Sequence, residues 1–179
     1  MNISKEIVQF AKQKKYDNIA IIDTSDITFE SELRAFCESN ACGKYGTSWC
    51  CPPGCGDAET LKKKILGYKK GMVVQKIYPL EDSFDLEGMR DASYKFNELF
   101  YGMDDFINNS YKEDHYSLKA SSCKLCDKCR YPDQECKNPE KARPSVEACC
   151  INVILLCQSC GIPYMNGKNT VSYVALFLF

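Results

Sequence analysis

Histidine is almost absent from this chain: the 179 residues contain one, His115. That scarcity excludes zinc held by paired cysteines and histidines, Rieske-type clusters and catalytic zinc on several imidazoles. It also gives a cysteine–histidine catalytic dyad a poor basis. His115 sits beside a strand start and reads as a surface or capping residue. An excess of either charge is missing as well. Lys and Arg number 23 against 24 Asp and Glu, a net charge of −1 with pI about 5.9. No global positive field exists, so no nucleic-acid partner is expected. Long apolar runs are lacking too. No window approaches the ~20 residues that span a bilayer, and the final stretch, Val171 to Phe179, reads as a buried strand. The opening residues mix charge with apolar side chains at helical spacing and lack the apolar run of a signal peptide. The expected setting is the cytoplasm, with no membrane association. No carboxylate pair, phosphate loop or nucleophile motif supports catalysis.

What the chain has in abundance is cysteine, 13 residues. The odd total, the missing export signal and a length sufficient for a core without staples argue against a disulfide scaffold. In a reducing compartment, clustered thiols are metal ligands or redox groups. They fall into two blocks, Cys37 to Cys55 and Cys123 to Cys160, with none between. The reading is one domain over residues 1–179, with segments 37–55 and 122–160 inserted as metal-binding loops that fold back on each other.

The rest alternates helices and strands. Ile3, Ile7, Phe10 and Ala11 form one helical stripe over residues 3–15. Strands are predicted at 18–23, 71–78 (ended by Pro79), 116–121 and 172–179. A short helix over 31–38 delivers Cys37, and another over 57–68 turns Leu61, Ile65 and Leu66 inward. The clearest element is an amphipathic helix from about Ser83 to Tyr111, carrying Leu86, Met89, Phe96, Leu99, Phe100, Met103, Phe106 and Ile107 at 3–4 spacing. A further helix is expected over 145–156, capped by Ser145. These elements fit an α+β class, an α/β sandwich of about four strands with flanking helices and a cysteine-rich metal-binding lobe. A split β-α-β arrangement is one way to order it.

The strongest motif is Cys123-Lys-Leu-Cys126-Asp-Lys-Cys129, followed by Cys136 and Pro139. Two consecutive CxxC steps let a loop wrap a cubane with each thiolate on a different iron, the spacing of bacterial-type ferredoxins. Zinc ribbons use separate CxxC pairs instead. The first block, from Cys37 through Cys42 to Cys50-Cys51-Pro52-Pro53-Gly54-Cys55, holds Gly43, Gly46 and Gly54, which permit tight backbone turns. Trp49 and Tyr45 are candidates to shield a centre from water, or plain aromatic plugs. Adjacent cysteines seldom share one metal, so Cys50 reads as spare beside Cys51, which the proline turn fixes. Cys157 and Cys160 read as small residues in an apolar helix.

The run CGKYGTSWCCPPG, with CKLCDKC and RPSVEAC, resembles a cysteine-rich family of unknown function, the predicted metal-binding proteins of anaerobic bacteria and archaea. The likeness extends from about Phe36 to the end. It implies cysteine-bound metal, with iron–sulfur favoured, and no established reaction. Its pattern carries over to Cys37, Cys42, Cys51, Cys123, Cys126, Cys129, Cys136 and Cys149. Cys50, Cys55, Cys150, Cys157 and Cys160 are additions, Cys150 standing where a glycine is expected. Eight pattern cysteines match two four-iron clusters. The expectation is therefore one or two 4Fe-4S clusters passing electrons to a protein redox partner. Alternatives are a structural zinc or single-cluster adaptor, and a metal chaperone. The oligomeric state is open.

Overall fold

In the computed structural model, residues 5–110 and 115–179 are described. Ile3 and Tyr111, at the ends of two predicted helices, lie outside them. Four strands, β1 (Asn18–Asp23), β2 (Lys70–Pro79), β3 (Tyr116–Leu118) and β4 (Thr170–Leu178), form a sheet in the order β1-β2-β4-β3, every pair antiparallel. Because β2 and β3 both run against β4, they are parallel to each other with β4 between them. The long helix α4 (Leu86–Ser110) joins them into a split β-α-β unit. That arrangement was one of the expected orders, and the α+β class stands.

Strand alternation sorts the core into two halves. Met72, Val74, Ala175 and Phe177 enter one, with Ile7 and Ala11 of α1 (Lys5–Gln13) and Phe96, Phe100, Met103 and Ile107 of α4. Val73, Val174, Leu176 and Leu178 enter the other, with Leu61 and Ile65 of α3 (Ala58–Leu66) and Leu156 of α5 (Val153–Ser159). Burying a Phe or Leu side chain in such a layer contributes about 1.5–3 kcal/mol. Gly71 keeps the β2–β4 contact close, since a Cβ there would meet Leu176 at 2.8 Å.

Several boundaries differ from expectation. Leu66 and Leu86 are exposed, because each lies in the first or last turn, past the stripe that faces the sheet. Pro79 is the last residue of β2 rather than its stop. The helix expected over 145–156 does not form as one piece. Ser145 Oγ does accept from Ala148 N at 3.1 Å, but it caps only a 3-10 turn, Glu147–Cys149. Cys150 then takes a left-handed φ of 60° and ends the turn. Asn152 starts afresh as the cap of α5, accepting from Ile154 N and Leu155 N. A strong N-cap residue in mid-run was the sequence signal for that break.

The part of the second cysteine block that holds Cys123, Cys126, Cys129 and Cys136 is an excursion with a closed neck. Lys119 N donates to Pro144 O and Val146 N to Lys119 O, both at 3.0 Å, so the chain leaves β3 and returns at one point. Two pairs on the buried Asp104 and one exposed pair fasten that neck to α4. Arg143 Nη2 lies 3.2 Å from Asp104 Oδ2, His115 Nε2 lies 3.4 Å from Asp104 Oδ1, and Lys141 pairs with Asp105 at 2.9 Å. His115, read from sequence as a surface or capping residue, is instead a partner of a fully buried carboxylate. Burial acts to raise the Asp104 carboxyl, but His115, Ser117 and Arg143 together hold it below the ordinary carboxylate range.

Candidate metal centre

Cys37 sits near the end of the short helix α2 (Leu33–Glu38), which unwinds through Asn40 and Gly43, both at left-handed φ. Asn40 Oδ1 accepts from Tyr45 N at 3.0 Å, fixing the turn after Cys42. The next loop is closed by Gly46 N donating to Pro52 O at 2.8 Å, and it presents Cys50 and Cys51 in succession. Gly54 is required for a different reason than a left-handed turn. A Cβ there would strike the Ser48 carbonyl and the Tyr131 ring. Trp49 packs edge-on against Tyr131, ring centres 4.9 Å apart, and donates from Nε1 to Gln134 O at 3.1 Å. The sole tryptophan thus clamps the first block onto the loop between Cys129 and Cys136.

The two blocks meet around two cavities. The first, about 240 Å³, is lined by Cys123, Cys126, Cys129 and Cys136 together with Cys50, and rimmed by Lys44, Lys128, Arg130 and Lys137. The second, about 390 Å³, is lined by Cys37, Cys42 and Cys51, with Tyr45, Ser121, Ser145 and Glu147. Both blocks contribute to both. The adjacent Cys50 and Cys51 therefore serve different cavities, which gives the pair a reason that sequence alone did not supply: neighbours in an irregular segment can diverge. Cys50, read as spare, is 3% exposed and lines the first cavity beside Cys123. Their interaction, with burial, pushes the Cys50 thiol up and draws Cys123 down.

Hydrogen bonds to sulfur continue around the first cavity. Asn138 donates from its backbone N to Cys136 Sγ and from Nδ2 to Cys126 Sγ, both at 3.4 Å. N–H donors of this kind favour charged thiolates and tune a centre they hold. Among the described residues no three Cys, His, Asp or Glu converge closely enough to enclose one metal ion. The first cavity's thiols line a wall instead.

In the second cavity burial is the largest influence on Cys37 and Cys51 and pushes both thiols up. Arg34, near the start of α2, opposes this at Cys37 and approaches Cys55 Sγ at 3.9 Å. Cys149, one of the eight pattern cysteines, lines neither cavity. It is fully buried in the apolar half-core beside α3 and α5, and burial pushes its thiol far up. Cys150, next to it, is electrostatically coupled to Cys37 and Arg34. Cys157 is also fully buried in that half-core, with Cys160 packed at its edge.

Residues 20–179 match the family described as "Predicted metal-binding protein (DUF2284)". The chain belongs to this family. No curated protein matches it by sequence. Among solved structures, it is similar to epoxyqueuosine reductase from Bacillus subtilis, at 16% identity and a TM-score of 0.44, covering 97% of this chain and 44% of that one. It is also similar to epoxyqueuosine reductase in complex with an epoxyqueuosine-modified tRNA stem loop, at 13% identity and a TM-score of 0.43, with the same coverage. The chain thus spans less than half of those proteins, and likeness at that level says nothing about its activity. No helix among the described residues is long and apolar enough to cross a membrane.

Proposed function

We propose that the family's metal is, in this chain, iron held as two 4Fe-4S clusters, and that the protein passes electrons to a partner protein. The observation that carries this is the first cavity. The CxxCxxC residues Cys123, Cys126 and Cys129, with Cys136 and Cys50, line one cavity. A soft all-sulfur donor set without a usable imidazole suits an iron–sulfur centre. Cys123, Cys126, Cys129 and Cys136 would hold one cluster. Cys37, Cys42 and Cys51, the three cysteines that line the second cavity, would hold the other. Such clusters, when bound, take up and release single electrons.

The surrounding residues serve that role by position and charge. Asn138 donates to two of the sulfurs, and Trp49 covers the loop that carries Cys136. Lys44, Lys128, Arg130 and Lys137 at the rim of the first cavity form a positive collar around a negatively charged centre. A collar of this sign steers an acidic partner toward the nearer centre.

The test is anaerobic purification followed by iron, acid-labile sulfide and zinc assays and a redox titration. The expected product is brown, with iron and sulfide in roughly equal amounts and a reversible one-electron response. Colourless protein with stoichiometric zinc and no sulfide would replace this reading with a structural zinc adaptor.

A further inference from the structure

Lys119 follows β3 directly and is fully buried, one of the largest such side chains in the molecule. Its ammonium donates to Asn97 Oδ1 at 2.7 Å and to the Ser122 carbonyl at 2.7 Å. Asn97 is itself held, donating from Nδ2 to Ser93 O at 2.7 Å. Both acceptors are neutral. Among the described residues no carboxylate pairs with Lys119, although the nearby Asp104 and Asp105 pair with Arg143 and Lys141. Ser122, whose carbonyl takes one of these bonds, lines both cavities and directly precedes Cys123. Cys123 and Cys50 line the first cavity and Cys51 the second.

Removing an ammonium from water costs several kcal/mol unless an anion compensates. Hydrogen bonds to neutral acceptors satisfy the donors and leave the charge itself unmatched. The Tyr101 ring lies 6.0 Å from the ammonium and is a weak electrostatic partner; a full counter-charge would have to come from thiolates of the cavities that Ser122 lines. The backbone of Lys119 also closes the neck of the second block, so this side chain cannot drift from the site.

We infer that Lys119 is a buried counter-charge shared by the two cysteine-lined cavities, a positioning residue that sets the reduction potential of what they hold. This rests on the iron–sulfur reading above. A fixed positive charge next to a centre that becomes more negative on reduction favours the reduced state and raises the potential. Because the charge is buried, salt screens it far less than it screens the collar lysines.

The experiment compares wild type, Lys119→Met, Lys119→Gln, Lys119→Arg and the collar variant Lys128→Gln, all purified anaerobically. Wild type without iron and sulfide would end the cluster reading itself, before Lys119 is tested. With clusters present, Lys119→Met and Lys119→Gln should titrate at a lower potential than wild type, by the same amount at low and high salt. Lys119→Arg should stay close to wild type. Lys128→Gln should shift less, and its shift should fade in high salt. A cluster-loaded Lys119→Gln at the wild-type potential would overturn the inference. If the neutral variants fail to load iron, loading by Lys119→Arg supports the charge. Failure of all three alike would assign Lys119 to packing and overturn the inference too.

Discussion

The two cavities share their source segments but differ in how the chain builds them. The first gathers Cys123, Cys126, Cys129 and Cys136 from 14 consecutive residues and adds Cys50 from the other block. The second draws Cys37, Cys42 and Cys51 from a helix end and two turns, and meets the 3-10 turn of Glu147 and Ala148 on its far side. One site is set by local spacing. The other exists only because tertiary packing brings separate turns together. A short ligand loop holds its thiolates near one another even before the fold is complete, whereas a dispersed set depends on the fold for every distance.

That difference can be sharpened by mutation. The largest effect is expected for Cys126→Ser, which removes a thiolate from the densest part of the first set. About half of the iron and sulfide should be lost, together with a marked drop in soluble yield, because binding and folding free energy are shared in such a lobe. Iron per chain and the yield of soluble protein measure both.

Next comes the neck that carries the local set. Asp104→Asn leaves Arg143 and His115 facing a neutral side chain in a buried network, a change that costs about 3–5 kcal/mol. Urea unfolding of the metal-free protein measures it. The pH dependence has a fixed sign. The Asp104 carboxyl titrates below its unfolded value. Its stabilisation is therefore present above the ordinary carboxylate pKa of about 4 and is lost as pH falls below that value. Asp104→Asn should abolish this part of the acid sensitivity; an unchanged acid limb would detach Asp104 from the neck's stability.

Exchanging serine at the two adjacent cysteines breaks the comparison more finely. Cys50→Ser should perturb the spectrum of the first centre and leave the second intact, and Cys51→Ser should do the reverse. Identical spectra for both variants would show that the pair serves one site. The smallest effect belongs to Cys157→Ser. It places a hydroxyl in the apolar half-core at a cost of about 1–3 kcal/mol, with iron content unchanged.

The same contrast governs how far the sequence could be read. The apolar runs of β2 and β4, and the 3–4 spacing of Phe96, Phe100, Met103 and Ile107, follow from burial between two half-cores or on one helix face and were legible at once. The CxxCxxC set was legible for the same reason, since its geometry is local. The break at Cys150 was harder, because the apolar run continues through Ile151 and the signals are two single residues, Cys150 in a glycine's place and Asn152 as a new cap. The division of Cys50 from Cys51 depends on which way two neighbouring side chains diverge. The partnering of His115 with Asp104, and the burial of Lys119, depend on α4 packing across the neck. None of these leaves a periodic trace in the sequence, and the position of Cys149 in the core rather than in either cavity belongs with them.

The central claim is that two separate multi-iron centres occupy two cysteine-lined cavities. Its most direct test is iron and sulfide per chain in three proteins purified without oxygen: wild type, Cys126→Ser and Cys51→Ser. The account predicts about eight of each in wild type and about four in either variant, as two independent four-iron centres require. Zinc without sulfide in wild type, or a single substitution that empties the chain of iron while the protein stays folded, would contradict it.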